Sequence, residues 1–202
     1  MPRIRAASIE EHRRLTRRAI IDAAQAVIAT MGRADIGLGD IAAVAGIART
    51  TFYQYFADRD DLIATMVEEE LPGIIDGLLE GLEEVEPLDE RLAALAARTI
   101  EFVAADEVLG LILHREVGRL SAVSQQRVRE AHSRLADSLV GIYMEGVARG
   151  VFVEMAPDLA GRLIHEAIMA GARTIIASPD PVERVAETTA SVRRYLLGGL
   201  GR

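Results

Sequence analysis

The stretch GIARTTFYQYFADRDDL, residues 46–62, carries many hydrogen-bond donors for its length. Arg49 can pair with guanine or with a phosphate, and Gln54 can bind the edge of adenine. Thr50 and Tyr53 carry hydroxyl groups that can donate to phosphate oxygens. These residue types suit an acidic partner. Spacing alone also permits a plain solvated helix on the surface of a helical core.

Short helices are predicted to hold these donors. Residues 38–45 and 49–55 favour two helices, and Gly46 permits a tight turn between them. Two helices joined by such a turn form a helix-turn-helix unit, whose second helix enters the major groove of DNA. A preceding amphipathic helix, residues 16–31, would brace the pair. The anchoring side chains would be Ile47, Phe52 and Phe56.

Charge divides the chain into two parts. The 202 residues have a net charge of −8, and every basic residue is arginine. Residues 1–62 hold 9 arginines against 8 acids, whereas residues 63–202 hold 14 against 23. Six arginines and two glutamates lie in the first 18 residues. On charge alone, the N-terminal part of the chain could bind a polyanion. It could equally well be a disordered basic tail beside an acidic surface.

Several functional classes find little support in the composition. There is no cysteine, which removes disulfides and cysteine-ligated zinc. No apolar run reaches membrane length, and no signal peptide follows the first arginines, so we expect a cytoplasmic protein without a membrane partner. Glu130 and His132 have the wrong spacing for a di-iron site, and His165–Glu166 lacks the second histidine of a zinc protease. We therefore expect no catalytic residue, metal or cofactor. An enzyme and a pure interaction module remain the alternatives.

The rest of the chain predicts helices almost throughout. Asp58 is a natural N-cap for a fourth helix, in which Pro72 either introduces a kink or marks the end. The strand-like run GVFVEM is too short and solitary to build a sheet. Further helices are expected at about 87–104, 107–117, 122–148, 157–177 and 181–197. The predicted class is all-α.

The segments TRRAIIDAAQAVIATMG and DIAAVAGIARTTFYQYFADRDDL resemble the N-terminal domain of the tetracycline-repressor (TetR) family. The resemblance covers about residues 16–63. It implies a three-helix helix-turn-helix domain, residues 1–62, followed by a helical effector-binding and dimerisation domain, residues 63–202. It also implies a homodimeric repressor that binds a palindromic DNA operator and is released by a small-molecule effector. The matching positions are Arg17, Ile20, Ala23, Ala24, Gly32, Ile41, Ala42, Ala45, Gly46, Tyr53, Phe56 and Leu62.

Departures from the family pattern shift the expected DNA contacts. Gly37 and Gly39 stand where polar residues are common, and Ala48 stands where a capping serine is common. The second helix then has few contacts to offer, and the third is poorly capped. Arg59 replaces a typical lysine and keeps a phosphate-seeking charge. The predicted DNA-binding residues are Arg17, Arg49, Thr50, Thr51, Tyr53, Gln54, Tyr55 and Arg59.

Two further sets of residues are expected to act in residues 63–202. The last two helices carry seam-like spacings, which suit either a dimer interface or packing within one subunit. The interface set is Ile164, Ala167, Gly171, Val182, Val185, Thr189, Val192 and Leu196. A mainly apolar effector cavity would use a few polar groups, although methionines and a phenylalanine in such positions more often belong to a core. The effector set is Phe102, His114, Tyr143, Met144, His165 and Met169.

Overall fold

A computed structural model describes residues 2–31, 36–105 and 108–201, without the side chains of residues 2–7, 111, 114 and 115. The first four helices are α1 (Pro2–Met31), α2 (Leu38–Val44), α3 (Arg49–Phe52) and α4 (Arg59–Leu79). Thus α1 begins well before residue 16, where the sequence pattern placed it. Its predicted C-terminal glycine, Gly32, lies outside the described residues. The bounds of α2 agree with the prediction to within one residue.

The later helices follow the predicted order. They are α5 (Leu88–Ala105), α6 (Leu109–Leu111), α7 (Ala122–Ala148), α8 (Pro157–Ile176) and α9 (Pro181–Leu200). The predicted helix at 107–117 is instead α6 followed by a π-helical turn, Ile112–Glu116, and a 3-10 turn, Val117–Arg119. The run GVFVEM makes one isolated bridge, between Phe152 and Gly201. The described residues are therefore all-α, as expected.

Pro72 lies inside α4 without ending it. Proline has no backbone N–H, so the carbonyl of Glu68 loses its partner at the fourth residue along. The helix nevertheless continues for seven further residues to Leu79. Apolar side chains on both sides of the proline, including Met66, Leu71 and Ile75, are almost fully buried. Their burial favours the continuous helix over a break at the proline.

Packing divides the chain into two compact units. Unit 1 comprises Met1–Glu68 and Glu107–Val128, and unit 2 comprises Glu69–Asp106 and Arg129–Arg202. The core of unit 1 includes Ile20, Ile28, Ile41, Phe52, Phe56, Leu62 and Met66. The core of unit 2 includes Leu92, Leu95, Ile100, Tyr143, Phe152, Ile164, Ile168 and Leu196. The functional boundary predicted at residue 62 is a separate matter and stays a prediction.

A close contact in unit 2 fixes the chain after α7. Phe152 is fully buried and stacks on Tyr143, with ring centroids 5.9 Å apart. The Tyr143 hydroxyl donates to the Val153 carbonyl at 2.8 Å and accepts from the Met155 N–H at 2.9 Å. A Cβ atom at Gly146 would lie far closer to Cδ2 and Cε2 of Phe152 than van der Waals contact allows. Glycine is therefore required at this position, because the Phe152 ring is fully buried and stacked on Tyr143.

Gly146→Ala is expected to lower the free energy of unfolding by about 1–3 kcal/mol, the usual cost of overpacking. Gly141 is the matched control, because it is exposed on the same helix and a Cβ there meets nothing within 4 Å. Gly141→Ala should raise stability by about 0.5–1 kcal/mol through helix propensity. Urea denaturation of both variants measures the difference. Equal effects of the same sign would contradict the packing role of Gly146.

Candidate nucleic-acid interface

The turn between α2 and α3 is built by backbone hydrogen bonds around Gly46. Gly46 has φ 67°, in the left-handed region that favours glycine. Its N–H donates to the Ala43 carbonyl at 3.2 Å, and the Ile47 N–H donates to the Ala42 carbonyl at 3.0 Å. This pair of bonds is the Schellman arrangement that closes a helix C-terminus. The predicted glycine turn is confirmed, and it reverses the chain within four residues before Arg49.

The two faces of α3 differ in polarity. Phe52 is fully buried and Phe56 is 2% exposed, so the apolar side of this segment belongs to the core of unit 1. Arg49, Thr50 and Gln54 are exposed, and Tyr53 is 50% exposed. The outward orientation of these four predicted DNA-binding residues is confirmed. The other two predicted donors on this segment, Thr51 and Tyr55, are half-buried.

The segment after Phe52 is tighter than predicted. The α-helix ends there, and the Gln54 and Tyr55 N–H groups bond to carbonyls three residues back, at 3.0 and 2.9 Å. The predicted helix to Tyr55 is therefore a short α-helix with a turn appended. No side chain caps the start of α2 or α3, where Gly37 and Ala48 stand. The expectation of poor capping is confirmed, because neither residue carries an acceptor.

A chain of ring contacts connects α1 with the outer face of α3. The Arg17 guanidinium carbon lies 5.5 Å from the centre of the Phe56 ring. The Phe56 ring lies 5.6 Å from Phe52, and Phe52 meets Tyr53 edge to face at 5.7 Å. Such cation–π and aromatic contacts contribute roughly 0.5–1.5 kcal/mol each. Arg17 therefore lies beside Phe56, which in turn contacts the Phe52 ring that packs against Tyr53.

Arg59, the first residue of α4, does not present its charge to solvent as expected. Its guanidinium donates to Glu116 Oε2 at 2.6 Å, and its side chain is only 22% exposed. Glu116 is itself 4% exposed and also accepts from Arg119 at 3.4 Å. Arg59 therefore compensates a buried carboxylate, and turning to a phosphate would leave Glu116 with only the longer contact from Arg119. The prediction of Arg59 as a phosphate contact has no support in this geometry.

The N-terminus of α4 is capped as predicted. Asp58 Oδ1 accepts from the Asp61 N–H at 2.8 Å, and Asp61 Oδ2 accepts from the Ala57 N–H at 2.8 Å. Two backbone donors that α4 cannot satisfy internally are thereby paired. The negative carboxylates also interact favourably with the positive end of the helix dipole at the N-terminus of α4. These bonds fix the point where the chain leaves α3 and enters α4.

Arg127 of α7 gathers three side chains of α4. Its guanidinium donates to Glu68 at 2.8 and 2.5 Å, to Asp61 at 2.6 Å and to the Thr65 hydroxyl at 2.9 Å. The hydrogen bonds that Arg127 donates to Glu68 raise the pKa of Arg127 more than burial lowers it, so the guanidinium stays charged. Asp60 adds a further tie, since its Oδ2 accepts from the Ser121 N–H at 2.8 Å. Residues 116–127 are thus fastened to the first three turns of α4.

Sequence reasoning did not identify this cluster, although a pattern for it exists. Asp61, Thr65 and Glu68 are spaced four and three residues apart, which places them on one face of a helix. Arg127 lies 59 residues beyond Glu68, and no local pattern pairs it with that face. Only tertiary packing brings the cation to the two carboxylates.

The residues predicted to line an effector cavity lie in different environments. Phe102 and Met169 pack against the core of unit 2, and Tyr143 is fully buried with its hydroxyl satisfied. Met144 is 42% exposed, and His165 is exposed on α8. The side chain of His114 lies outside the described residues. The five described residues of this set thus differ in burial, and the effector site stays a prediction.

The predicted dimer residues differ in how deeply they are buried on α8 and α9. Ile164 and Leu196 are buried in the core of unit 2, and Val185 and Val192 pack against it. A Cβ at Gly171 would lie 2.9 Å from Val192 and 3.1 Å from Ile100, so this glycine permits close helix contact. Thr189 is half-buried, Ala167 is 9% exposed, and Val182 is 84% exposed. Ile164 and Leu196 therefore pack within the subunit, whereas Ala167, Gly171 and Val192 also line a groove along α8 and α9, and the interface set stays a prediction.

A groove of about 520 Å³ runs along the outer side of α8 and α9. Leu159, Leu163 and Tyr195 on these helices are 41–64% exposed. Large exposed side chains of this kind, in one region, are typical of an interaction surface. Leu163, Ala167, Gly171, Thr188, Val192 and Tyr195 are among the residues that line the groove.

Two absences hold for the described residues. None of their helices is long and apolar enough to cross a membrane. Within residues 2–31, 36–105 and 108–201, no group of three or more acidic or histidine residues could hold a metal ion.

Arg127→Ala should lower the free energy of unfolding by about 2 kcal/mol, because hydrogen bonds to charged groups are lost and two carboxylates remain without their cation. Arg134 is the matched control, since it joins the same two helices by pairing with Asp76 at about 60% exposure of both side chains. Arg134→Ala should cost less than about 1 kcal/mol, as exposed ion pairs do. Urea denaturation compares the two variants, and Arg127→Lys should recover only part of the loss. Equal losses of unfolding free energy in Arg127→Ala and Arg134→Ala would contradict a stabilising role for the Arg127 contacts with α4.

Comparisons with known proteins agree with this geometry. The family model described as "Bacterial regulatory proteins, tetR family" matches residues 20–66, and the model "Tetracyclin repressor-like, C-terminal domain" matches residues 85–173. The fatty acid metabolism regulator protein of Bacillus subtilis is 28% identical over 90% of this chain and 93% of its own length. The transcriptional repressor LfrR of Mycolicibacterium smegmatis is 36% identical over 44% of each chain.

A solved structure extends the likeness to the fold. The transcriptional regulator FadR from Bacillus subtilis, in complex with stearoyl-CoA, superposes with a TM-score of 0.76 at 27% identity, over 90% of this chain and 97% of that one. The two family models fall on the helix-turn-helix and on the helices that follow it, in the expected order. The chain belongs to the TetR family of DNA-binding transcriptional regulators.

Proposed function

We propose that α3 reads operator DNA through Arg49, Tyr53 and Gln54, with Thr50 on a phosphate. The observation that carries this proposal is the exposure of these four residues opposite buried Phe52 and Phe56. Arg49 would bind guanine in a bidentate manner and Gln54 would bind adenine, since their donors and acceptors match those base edges. Residues 1–62 would act as the DNA-binding domain.

Tyr53 and Thr50 would position the helix while Arg49 and Gln54 specify the sequence. Hydroxyl groups bond readily to phosphates, which fix register and orientation on the duplex without sequence information. Arg17 supports this surface through Phe56, and its charge lies beside the same ring. Half-buried Thr51 and Tyr55 contribute less to such a surface, and Arg59 contributes to the link with Glu116 instead.

Regulators of this family bind DNA as homodimers, and we propose that the outer side of α8 and α9 is the dimer face. A standard interface buries about 800 Å² on each partner. The exposed Leu159, Leu163 and Tyr195 supply apolar area beside the groove, with Ala167 and Ala170 allowing close approach. Twofold symmetry would present two copies of α3 to a palindromic site.

A long-chain acyl-CoA is the effector class that we propose. A sequence relative and a solved structure that each match about nine-tenths of this chain are fatty acid regulators, and the solved structure has stearoyl-CoA bound. In this proposal the protein is a cytoplasmic repressor and not an enzyme, and ligand binding in residues 63–202 releases DNA. The ties from α4 to residues 116–127 support such a coupling, because displacement of that segment would move the start of α4.

Binding-site selection from a random duplex pool tests the DNA-reading role. Wild-type protein should enrich a palindrome, and Arg49→Ala should weaken binding to it by at least about 1 kcal/mol. Arg49→Lys is the matched control, since lysine keeps the charge but loses the bidentate geometry. It should lose discrimination between sites while retaining affinity for unselected duplex. Failure to enrich any sequence would contradict the proposed reading of operator DNA by α3. Enrichment of a site without twofold symmetry would contradict binding as a symmetric dimer.

Stearoyl-CoA should weaken operator binding by about 5- to 150-fold, the usual range of coupling between two sites. Fluorescence anisotropy of a labelled operator duplex measures the shift. Free CoA and stearate are the controls, because each carries only one part of the thioester. The effector assignment would be wrong if stearoyl-CoA changed neither operator affinity nor the temperature of thermal unfolding.

A further inference from the structure

Building on the proposed DNA-reading role, we infer that Arg13 and Arg14 of α1 form a second DNA-binding surface that contacts the phosphate backbone beside the site read by α3. These residues precede residues 20–66, which match the family model, so the match assigns them no role. They also lie outside the set that the sequence predicted.

Both arginines are available to a partner. Residues 8–15 of α1 are exposed without exception, so this part of the helix buries no side chain in the protein itself. Arg13 has no ion-pair partner among the described residues. Arg14 pairs with Glu11 at 2.7 Å, but their side chains are 68% and 53% exposed. Such an exposed pair contributes little stability, and exchanging it for a phosphate contact therefore costs little.

The helical register directs Arg13 and Arg14 toward the DNA-reading side of unit 1. Residues three and four apart share one face of a helix, so both arginines share a face with Arg17. Arg17 lies over Phe56, which contacts Phe52 in α3. Arg13 lies one turn before Arg17, about 6 Å along the axis. The arginine face thus extends from the ring that supports α3 toward the start of α1.

The distribution of charge favours a phosphate partner. The first 18 residues hold six of the 23 basic residues but only two acids, whereas residues 63–202 have an excess of acids. An acidic body repels DNA, so favourable long-range attraction must come from the positive charge near α3. Guanidinium groups bind phosphate oxygens well because their planar forks match them. Exposed arginines without base-reading neighbours therefore fit backbone binding better than sequence reading.

The exposed segment 8–15 of α1 would also be stabilised by a phosphate partner. The segment 8–15 has no buried face to stabilise it, and helical segments shorter than about 12–15 residues are marginal alone in water. Continuity with the packed part of α1, from Ile20 onward, propagates the helix without a new nucleation step. Phosphate contacts would hold its arginines at fixed positions along the backbone.

Salt titration of Arg13→Ala tests the inference in the full-length protein. The logarithm of the operator binding constant falls linearly with the logarithm of the salt concentration, with a slope of about −0.9 for each phosphate neutralised. Loss of one contact in each protomer of a dimer should therefore reduce the slope by about 1.8. Affinity for a scrambled duplex of the same length should fall by a similar factor, because a phosphate contact is independent of sequence. Arg13→Glu should weaken both further, and Arg13→Lys should restore most of the slope.

Arg162→Ala is the control, since Arg162 is an exposed arginine of α8 in the acidic part of the chain, 3.9 Å from Asp158. It should leave both affinity and slope unchanged. An unchanged slope in Arg13→Ala would overturn the inference, and so would a loss of affinity that Arg13→Lys does not restore. These outcomes leave the proposed function intact as long as wild type still selects a sequence. Circular dichroism checks that each variant keeps its helix content.

Discussion

The burial of two phenylalanines is the constraint on which the proposed DNA-reading surface depends. The helix α3 is only four residues long, far too short to persist by its own hydrogen bonds. Phe52 and Phe56 remove their rings from water and hold this segment in the core of unit 1. Because they occupy one side of the turn, Arg49, Thr50, Tyr53 and Gln54 have only the other side available. The functional surface is thus a direct consequence of apolar burial beneath it.

Polar contacts then connect that surface with the next helix. Asp58 and Asp61 satisfy the exposed N–H groups at the start of α4, so the direction of the chain after α3 is fixed locally. Arg127 and Glu116 act over a longer range, since each pairs with α4 from a distant part of the sequence. Partly buried ion pairs have strict geometry and leave a costly unpaired charge when broken. Such ion pairs therefore suit a contact between α4 and residues 116–127 that is either fully formed or fully exchanged for another arrangement. They resist small distortions of that contact.

Charge is distributed so that attraction to DNA is confined to one end of the sequence. The excess of acids beyond residue 62 gives no attraction to a polyanion, whereas Arg17 of α1 lies beside Phe56, next to the proposed reading segment. Several arginines elsewhere are engaged in ion pairs within the protein, among them Arg59, Arg91 and Arg127. The exposure and pairing of each arginine, more than the net charge of −8, decide which of them can meet a phosphate.

The sequence by itself determined most of the helices, the glycine turn, the aspartate cap of α4 and the outward donors of α3. Each of these follows from residues within a few positions of one another, where spacing translates directly into structure. The tertiary structure alone decided that Arg59 pairs with Glu116, that α4 passes through Pro72, and that Ile164 and Leu196 belong to the core of one subunit. It also decided that the effector candidates Met144 and His165 lie at the surface. A local pattern shows which face of a helix is apolar or charged, but not which distant element will cover it. Those outcomes depend on burial and on charge pairs between residues far apart in the chain.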